Sequence, residues 1–265
     1  MKNSVFYILA LFVLGSCTEK IELDLDNTTP EIIIEGSISN YLDNHRVTIT
    51  KSQDYYNINL PETVENAEVQ IISQQDTFYL FEVGEGVYIT GYIRGIPGNT
   101  YTLVVNTENH IFTAQSTMPP EPVIDSIKFE QNEDEFRVFD VLLYTQEPPE
   151  DNYYYWGLMK DRYPITTSLD ELRFANDDLI NGNYLSGLKV HAIEAKPGSR
   201  VTLIMASIPK DYFNYCLSIL KETKYSDSPF EPAPANPETN IKGGAFGFFH
   251  AYSETRKTRI VRSIN

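Results

Sequence analysis

The segment Glu31-Ile-Ile-Ile-Glu-Gly-Ser-Ile38 is rich in β-branched residues and predicts a β-strand. It runs into a cluster of turn formers, Asn40, Asp43 and Asn44, after which Arg46-Val-Thr-Ile-Thr50 alternates between charged or polar and apolar residues. Alternation with a period of two is typical of a strand that buries one face. We therefore predict that the two segments pair as a β-hairpin.

Similar segments recur after this hairpin at the spacing typical of β-sandwiches. The sequence predicts further strands at 67–72, 77–82, 87–90, 100–105 and 110–114. Pro97-Gly98 favours a type II turn, because proline presets φ and glycine accepts a positive φ, and this turn leads into a closing hairpin. Residues 30–118 are therefore predicted to form an Ig-like or transthyretin-like β-sandwich.

A boundary follows at Met118-Pro-Pro-Glu-Pro122, because proline interrupts a β ladder and favours extended backbone. Beyond it, residues 162–185 have the composition of a loop. The second half is predicted to contain strands at 123–129, 136–144, 152–159 and 198–206. Residues 119–265 are therefore expected to form a second β-rich domain.

The periodicity becomes helical after Pro209. Tyr212, Cys216 and Leu220 recur at helical spacing, and proline suits a first helical turn, so the sequence predicts one α-helix near 209–224. This placement puts Cys216 on the packed face of the helix, as a buried thiol. The fold class is thus mainly β, with a single helix in the second domain.

The N-terminus has the features of a secretory signal. Lys2 precedes an apolar run that is too short to span a bilayer, and the run ends in Leu14-Gly15-Ser16-Cys17. This ending resembles a bacterial lipobox, in which a signal peptidase cleaves between Ser16 and Cys17 and the Cys17 thiol accepts diacylglycerol. Residues 1–16 are therefore predicted as a signal peptide and Cys17 as a lipidated residue. An ordinary signal peptide that contains a cysteine is the alternative.

Residues 17–29 are acidic and rich in turn formers, which predicts a solvated tether between the lipid and the first domain. The alternative is a first edge strand with Ile21, Leu23 and Leu25 on one face. The acidic tract resembles the surface-export signal of Bacteroidota lipoproteins. We expect an outer-membrane, lipid-anchored protein that faces the cell surface, with a periplasm-facing orientation as the alternative.

Charge argues against two classes of partner. The 265-residue chain has a formal net charge of −16, which becomes −17 when Lys2 leaves with the signal. A chain this acidic is not expected to bind nucleic acid or anionic lipid through a basic face. Lipidation of Cys17 would also leave Cys216 without a partner for a disulfide.

The motifs of common catalytic sites are missing from the sequence. The four histidines are isolated, and there is no zinc-binding His-Glu-x-x-His, no nucleophile elbow and no phosphate loop. The adjacent carboxylates of Asp177-Asp178 indicate either a turn or a weak calcium site. Separately, Asp125-Ser126-Ile127 resembles a short O-glycosylation signal. We predict no enzymatic activity, no cofactor and no metal site.

A proline-rich arm at 228–240 and a glycine-rich segment after it form the least ordinary part of the sequence. In the structural interpretation, Asn236 and Asn240 bond to nearby backbone groups. Gly243 and Gly244 then turn the chain, and the aromatic residues Phe246 and Phe248 are buried under the helix. We favour this interpretation because burial is the commoner use of phenylalanine.

A functional interpretation of the same arm is also open. Phe230, Asn236 and Asn240 would then be partner or ligand contacts, because proline-rich segments offer extended backbone to aromatic grooves.

Four features together resemble one family: the Cys17 lipobox, the Ile32–Ile38 strand, Gly98-Asn-Thr-Tyr-Thr-Leu103, and Asn236-Pro-Glu-Thr-Asn-Ile-Lys-Gly-Gly-Ala-Phe-Gly-Phe-Phe249. They are similar to Bacteroidota lipoproteins catalogued as a domain of unknown function, the four-two-four-nine family. The resemblance implies an accessory of TonB-dependent outer-membrane transporters, and it supplies no catalytic motif.

Two classes of function follow from these expectations. The first is a lipid-anchored, non-catalytic outer-membrane accessory that binds a TonB-dependent transporter and assists ligand capture or uptake. The alternative is a structural or assembly lipoprotein of the cell envelope, whose Ig-like domain acts as a spacer. The identity of the ligand does not follow from the sequence.

Overall fold

The computed structural model describes residues 30–53, 60–177, 181–223 and 236–262. Its first half consists of eight strands that follow one another along the chain. They are β1 (Ile32–Ser39), β2 (Asp43–Lys51), β3 (Glu68–Ile72), β4 (Thr77–Tyr79), β5 (Phe81–Gly84), β6 (Val87–Ile93), β7 (Thr100–Asn106) and β8 (Ile111–Thr117).

The second half contains the remaining strands and one helix. They are β9 (Ser126–Gln131), β10 (Val138–Gln146), β11 (Tyr153–Lys160), β12 (Tyr163–Pro164), β13 (Arg173–Asn176), β14 (Tyr184–Glu194), β15 (Arg200–Ser207), α1 (Lys210–Thr223) and β16 (Phe246–Ile260). The prediction of a mainly β chain with one helix in its second half is therefore confirmed.

One large sheet runs through the molecule in the order β12-β11-β15-β16-β1-β2-β6-β5, with β13 paired to β11. A four-stranded sheet, β4-β3-β7-β8, packs on the first half of this sheet. Apolar side chains alternate into the space between the two sheets because successive residues of a strand point to opposite faces. Their shared core includes Ile34, Val47, Leu103, Phe112 and Phe249. This arrangement confirms the predicted β-sandwich.

The second half repeats this arrangement with a three-stranded sheet, β14-β10-β9. This sheet packs on β11 and β15 around a second core that includes Ile127, Val141, Leu158, Leu203 and Val261. Each core is formed by the large sheet on one side and a smaller sheet on the other, as in two-layer sandwiches. The domain boundary near residue 118 stays a prediction.

Strand β16 contributes to both halves. It pairs in parallel with β1, from Ile33 opposite Phe246 to Ser39 opposite Tyr252, and it then pairs antiparallel with β15. On one face of β16, Phe249 enters the first core. Further along the same face, the Arg259 guanidinium donates to the carbonyl of Ile127 in β9. Because one strand serves both sandwiches, the two predicted domains share a backbone element.

Helix α1 covers the opposite face of the large sheet. Phe213 and Cys216 are its buried residues, and the Cys216 thiol is free, as predicted. Burial raises the pKa of Cys216 to about 12, which keeps it protonated at neutral pH. Phe248 of β16 is buried beneath the helix, with ring centroids 5.4 Å from Tyr212 and 4.9 Å from Tyr215. The structural interpretation of Phe248 is thus confirmed.

His250 lies in an aromatic stack under the same helix. Its ring is parallel to that of Tyr212 at a centroid distance of 3.5 Å, and the Tyr252 ring lies 5.3 Å away. Burial lowers the pKa of His250 to about 3, although a backbone hydrogen bond with Gly36 acts in the opposite direction. The imidazole is therefore neutral in the folded protein over the ordinary pH range.

This low pKa predicts a stability that depends on pH. An unfolded histidine takes up a proton as the pH falls below about 6.5, whereas folded His250 does not. Each pH unit between these pKa values should therefore cost about 1.4 kcal/mol of folding free energy. We expect the wild type to lose about 2 kcal/mol more than His250→Phe between pH 6.5 and 4.5, as measured by urea unfolding.

The matched control for this experiment is His110→Phe, since His110 is exposed and lies outside the stack. The slope of stability against pH should be the same in this variant as in the wild type. An unchanged slope in His250→Phe would contradict the prediction.

The sequence interpretation was wrong about two regions. It placed no strand at 186–194, yet β14 lies there, because two register shifts in its pairing with β10 interrupt the apolar alternation. It treated 162–185 as loop, but the short strands β12 and β13 form there against β11. Strands of two and four residues leave too short a pattern to detect.

The segment 77–82, predicted as one strand, is two. Leu80 is buried between them, and β4 joins the four-stranded sheet whereas β5 forms an edge of the large sheet. A strand that changes sheets at one residue shows no break in its alternation of apolar and polar residues. The sequence pattern therefore could not predict the division into β4 and β5.

Candidate functional site at the junction of the two sandwiches

The predicted site residues fall in different places. Ser16, Cys17 and Phe230 lie outside the described residues, whereas Asn236 is exposed at the start of the last described segment. Lipidation of Cys17 and a contact role for Phe230 and Asn236 therefore stay predictions. Ser126, of the suspected glycosylation signal, is half-buried at the start of β9.

Asn240 has a structural use. Its side-chain amide donates to the carbonyl of Phe249 at 2.7 Å, and its carbonyl oxygen accepts from the Phe249 N–H at 3.0 Å. Gly243 and Gly244 follow with positive φ and turn the chain into β16, as the structural interpretation predicted. The amide of Asn240 is thus engaged in holding β16, and its proposed contact role stays a prediction.

The acidic pair considered as a calcium site is only partly described. Asp177 is buried, and its carboxylate accepts hydrogen bonds from the backbone N–H and side-chain amide of Asn152. Asp178 lies outside the described residues. These bonds join Asp177 to the start of β11, so both the turn and the calcium interpretation of the pair stay predictions.

A different concavity lies where the two sandwiches meet along β16. We call it the junction pocket, and its volume is about 540 Å³. It is formed by the β1–β2 and β6–β7 connections, the linker before β9 and strand β16. Its lining residues are Asn40, Tyr41, Arg94, Gly95, Ile96, Pro97, Glu121, Glu254, Thr255 and Arg256.

Asn40 and Glu254 form the floor of the pocket. The Asn40 side chain accepts from the Glu254 N–H at 2.7 Å and donates to the Glu254 carbonyl at 3.2 Å. It thereby extends the pairing of β1 with β16 beyond the end of β1. These bonds pair the N–H and C=O groups of Glu254 and so fix the course of β16 here. The fixed backbone in turn positions the Glu254 and Arg256 side chains.

Glu254 and Arg256 form an ion pair at one wall. The Glu254 side chain is 3% exposed, and its Oε1 accepts from two guanidinium nitrogens at 2.6 and 2.7 Å. Burial raises the pKa of the Glu254 carboxyl, and the Arg256 charge opposes this shift. The guanidinium also lies 3.8 Å from the centroid of the Tyr41 ring. Arg256 is therefore held from two sides, as a fixed cationic wall.

The opposite wall is a tightly held loop. Gly95 donates its N–H to the Ser39 carbonyl at 2.8 Å, and Ile96 donates to the Tyr101 hydroxyl at 2.6 Å. A Cβ at position 95 would lie 2.8 Å from the Ser39 carbonyl oxygen, a backbone atom, as well as 2.4 Å from Cε of Met118, so a larger residue would displace the loop. The loop thus presents Arg94 and Ile96 in a defined position.

Exposed apolar side chains lie in the two connections that line the pocket and at the end of β6. We call Tyr41, Leu42, Tyr92, Arg94 and Ile96 the junction surface. Its four apolar side chains are between 43% and 74% exposed. Arg94 is exposed and forms no salt bridge with the part of the chain that the structure describes. Hot spots of protein–protein interfaces are enriched in tyrosine and arginine. The junction surface has both residue types beside aliphatic side chains.

The junction pocket offers polar, charged and aromatic groups to a binding partner. Among the described residues, no group of three or more His, Cys, Asp or Glu side chains is placed to hold a metal ion. Likewise, no helix in the described ranges is long and apolar enough to cross a membrane. The junction pocket offers cations, rings and amides, and its buried carboxylate is already paired.

The sequence analysis missed this site. Tyr41, Arg94 and Arg256 come from three connections or strands that are distant along the chain, and no local motif unites them. The only available signal was the run of basic residues near the C-terminus of an acidic chain, at Arg256, Lys257 and Arg259. The basic run does not indicate which residues of the chain these side chains contact, because those contacts depend on the pairing of β1 with β16.

Comparison with known proteins gives a family and two distant likenesses. The family model described as Domain of unknown function (DUF4249) matches residues 18–258. No curated protein matches the chain at a significant level.

Two of the solved structures that match the chain show the level of likeness. One is the adhesin InvE of Yersinia pseudotuberculosis, with 16% identity, coverage of 66% of this chain and 55% of the adhesin, and a TM-score of 0.22. The other is a two-domain fibronectin type-III segment of chicken tenascin, with 13% identity and a TM-score of 0.21. The match covers 89% of this chain and 100% of the tenascin segment. The chain thus spans about half the length of the adhesin structure.

Proposed function

The chain belongs to the family described as Domain of unknown function (DUF4249), and from this premise we propose that it is a lipid-anchored, non-catalytic accessory protein of the outer membrane. In this role it binds a TonB-dependent transporter and assists the capture or uptake of a ligand. Lipidated Cys17 would hold the chain at the membrane without a spanning helix.

The observation that supports partner binding is the junction surface. Monomeric proteins seldom expose several large apolar side chains together unless the patch binds something. Here Tyr41 and Ile96 line a concavity together with Arg94, a cation without an ion pair among the described residues. Leu42 and Tyr92 are exposed nearby in the chain, next to Tyr41 and at the end of β6. A partner that buries these rings and supplies a carboxylate would satisfy both features.

The surface is also rigid, which favours binding. The Arg256 guanidinium packs on the ring of Tyr41, and Ile96 is fixed through Tyr101. Side chains that are already ordered lose less conformational entropy on association than mobile ones. We therefore place the contact with the transporter at the junction surface.

The experiment is co-purification of the tagged chain from detergent-solubilised outer membranes. The double variant Tyr41→Ala and Arg94→Ala should lose most of the associated transporter, because hot-spot truncations cost about 2 kcal/mol or more each. The matched control is Tyr163→Ala with Arg173→Ala, which removes an exposed tyrosine and an exposed arginine elsewhere.

The control pair should retain the transporter, and both double variants should unfold at the wild-type temperature. A transporter that remains bound to the Tyr41/Arg94 variant would overturn the assignment of the surface. Wild-type chain that purifies with no transporter would overturn the accessory role itself.

The anchor can be tested separately. Cys17→Ala should abolish incorporation of labelled fatty acid and move the chain out of the outer-membrane fraction. Unchanged fractionation with label still incorporated would refute lipidation at Cys17.

A further inference from the structure

A second concavity lies on the other face of the large sheet, beside helix α1. We call it the helix groove, and its volume is about 290 Å³. It is separate in its residues from the junction pocket. Its lining residues are Glu35, Gly36, Ser37, Arg46, Thr48, Tyr212, Tyr215, Phe248 and His250.

Polar side chains of two neighbouring strands form its floor. Glu35 of β1 is directly opposite Thr48 of β2, and Arg46 lies two residues along β2 on the same face. Glu35 and Arg46 are exposed, and neither forms a salt bridge with any described residue. The floor of the groove therefore contains a carboxylate and a guanidinium that form no ion pair with each other.

The imidazole of His250 adds a third unused group. Its Nδ1 atom is buried and has no hydrogen-bond partner within the described ranges. Buried polar atoms are normally bonded, so an orphan atom in the wall of a cavity calls for an explanation. His250 also lines the groove, so its wall includes a ring with a nitrogen atom whose bonding capacity is unused.

Aromatic rings form the remaining wall. The rings of Tyr215 and Phe248 meet at 4.9 Å with a tilt of 37°, and Tyr212 lies next to both. Burial and then the charge of Glu35 raise the pKa of Tyr215 to about 12, and both residues line the groove. The groove thus combines an apolar wall with a polar floor.

The balance of charge restricts the class of ligand. An anion would be attracted by Arg46 and repelled by Glu35, and a cation would be attracted by Glu35 and repelled by Arg46, whereas a neutral ligand with several hydroxyl groups can bond to both side chains. A hydroxyl can donate to a carboxylate and accept from a guanidinium. The apolar face of a ring that bears such hydroxyls would pack on Tyr215, which is half-buried beside the groove.

We propose that the helix groove is a binding site for one ring of a neutral sugar, with Glu35 and Arg46 bonding its hydroxyls and Tyr215 contacting its apolar face. The volume is at the lower end of the range for ligand pockets, which fits a single ring. The inference does not depend on the transporter partnership, because a different surface carries that proposal.

The test is titration of the purified chain with glucose, galactose, mannose and N-acetylglucosamine, followed by ligand-observed NMR. A ligand of this size should bind with a Kd on the order of 1 mM. Glu35→Ala and Arg46→Ala should each weaken binding at least about tenfold, since each removes a charged hydrogen-bonding group. Glu108→Ala and Arg173→Ala, two exposed positions outside the groove, should bind as the wild type does.

Several results would overturn the proposal. One is the absence of saturable binding by any of the four sugars at about fifty times the expected Kd. Another is a Kd that is equal in the groove variants and the controls. A third is saturable binding of zwitterionic phenylalanine without binding of sugars, which would assign the groove to amino acids. Thermal unfolding of each variant checks that the fold is retained.

Discussion

Gly247→Ala should abolish most of the stability of the protein, with a loss above about 4 kcal/mol. Gly247 has a φ of +96° and lies opposite Ile34 in the parallel pairing of β1 with β16. A Cβ there would lie 2.1 Å from the Ile34 carbonyl oxygen and under 3 Å from two further backbone atoms. Since backbone atoms cannot rotate away as a side chain can, the two strands must separate.

Gly244→Ala is the control that isolates this clash. Gly244 also has a positive φ, of +91°, but a Cβ there would meet no atom within 4 Å. Its substitution should cost only the conformational strain, about 1–2 kcal/mol. Urea unfolding monitored by circular dichroism measures both variants. Equal losses in the two would show that the contact with Ile34 is unimportant.

Phe249→Ala should cost about 3–5 kcal/mol of folding free energy, the usual loss for a large core side chain. Phe249 is fully buried in the first core, although it belongs to the last strand of the chain. Its backbone is held by Asn240, so the strand will not shift to fill the cavity. Urea unfolding of the variant should show a lower midpoint with a similar slope.

Phe136→Ala provides the comparison for Phe249→Ala. Phe136 is 86% exposed, and its truncation should change stability by no more than about 0.5 kcal/mol. A similar small loss for Phe249→Ala would mean that the first core does not require β16.

Local patterns in the sequence predicted most individual strands and the helix. The hairpin of β1 and β2, the closing hairpin of β7 and β8 and the helix α1 all formed where expected. Each depends on residues close along the chain, whose alternation or helical spacing is visible in a short window. Strand β14 was missed because its bulges disturb that alternation.

The sheet order could not be predicted in the same way. The parallel pairing of β1 with β16 joins segments at opposite ends of the chain, and no turn signals it. The sites depend on this pairing: the junction pocket needs Asn40 beside Glu254, and the helix groove needs Glu35 beside Phe248. Their residues were consequently not among the predicted contacts.

The position of β16 also sets the order of assembly. Asn40 and Glu254 bond to each other although 214 residues separate them, and they do so at the seam of β1 with β16. Ribosomes synthesise a chain from its N-terminus at about 5–20 residues per second. The edge of β1 that pairs with β16 is therefore unpaired during most of synthesis. An unpaired edge is a template for association with other chains. The sandwich whose synthesis begins first therefore stays incomplete until nearly all of the chain has been made, and during this interval its open edge must be protected by whatever binds the nascent chain.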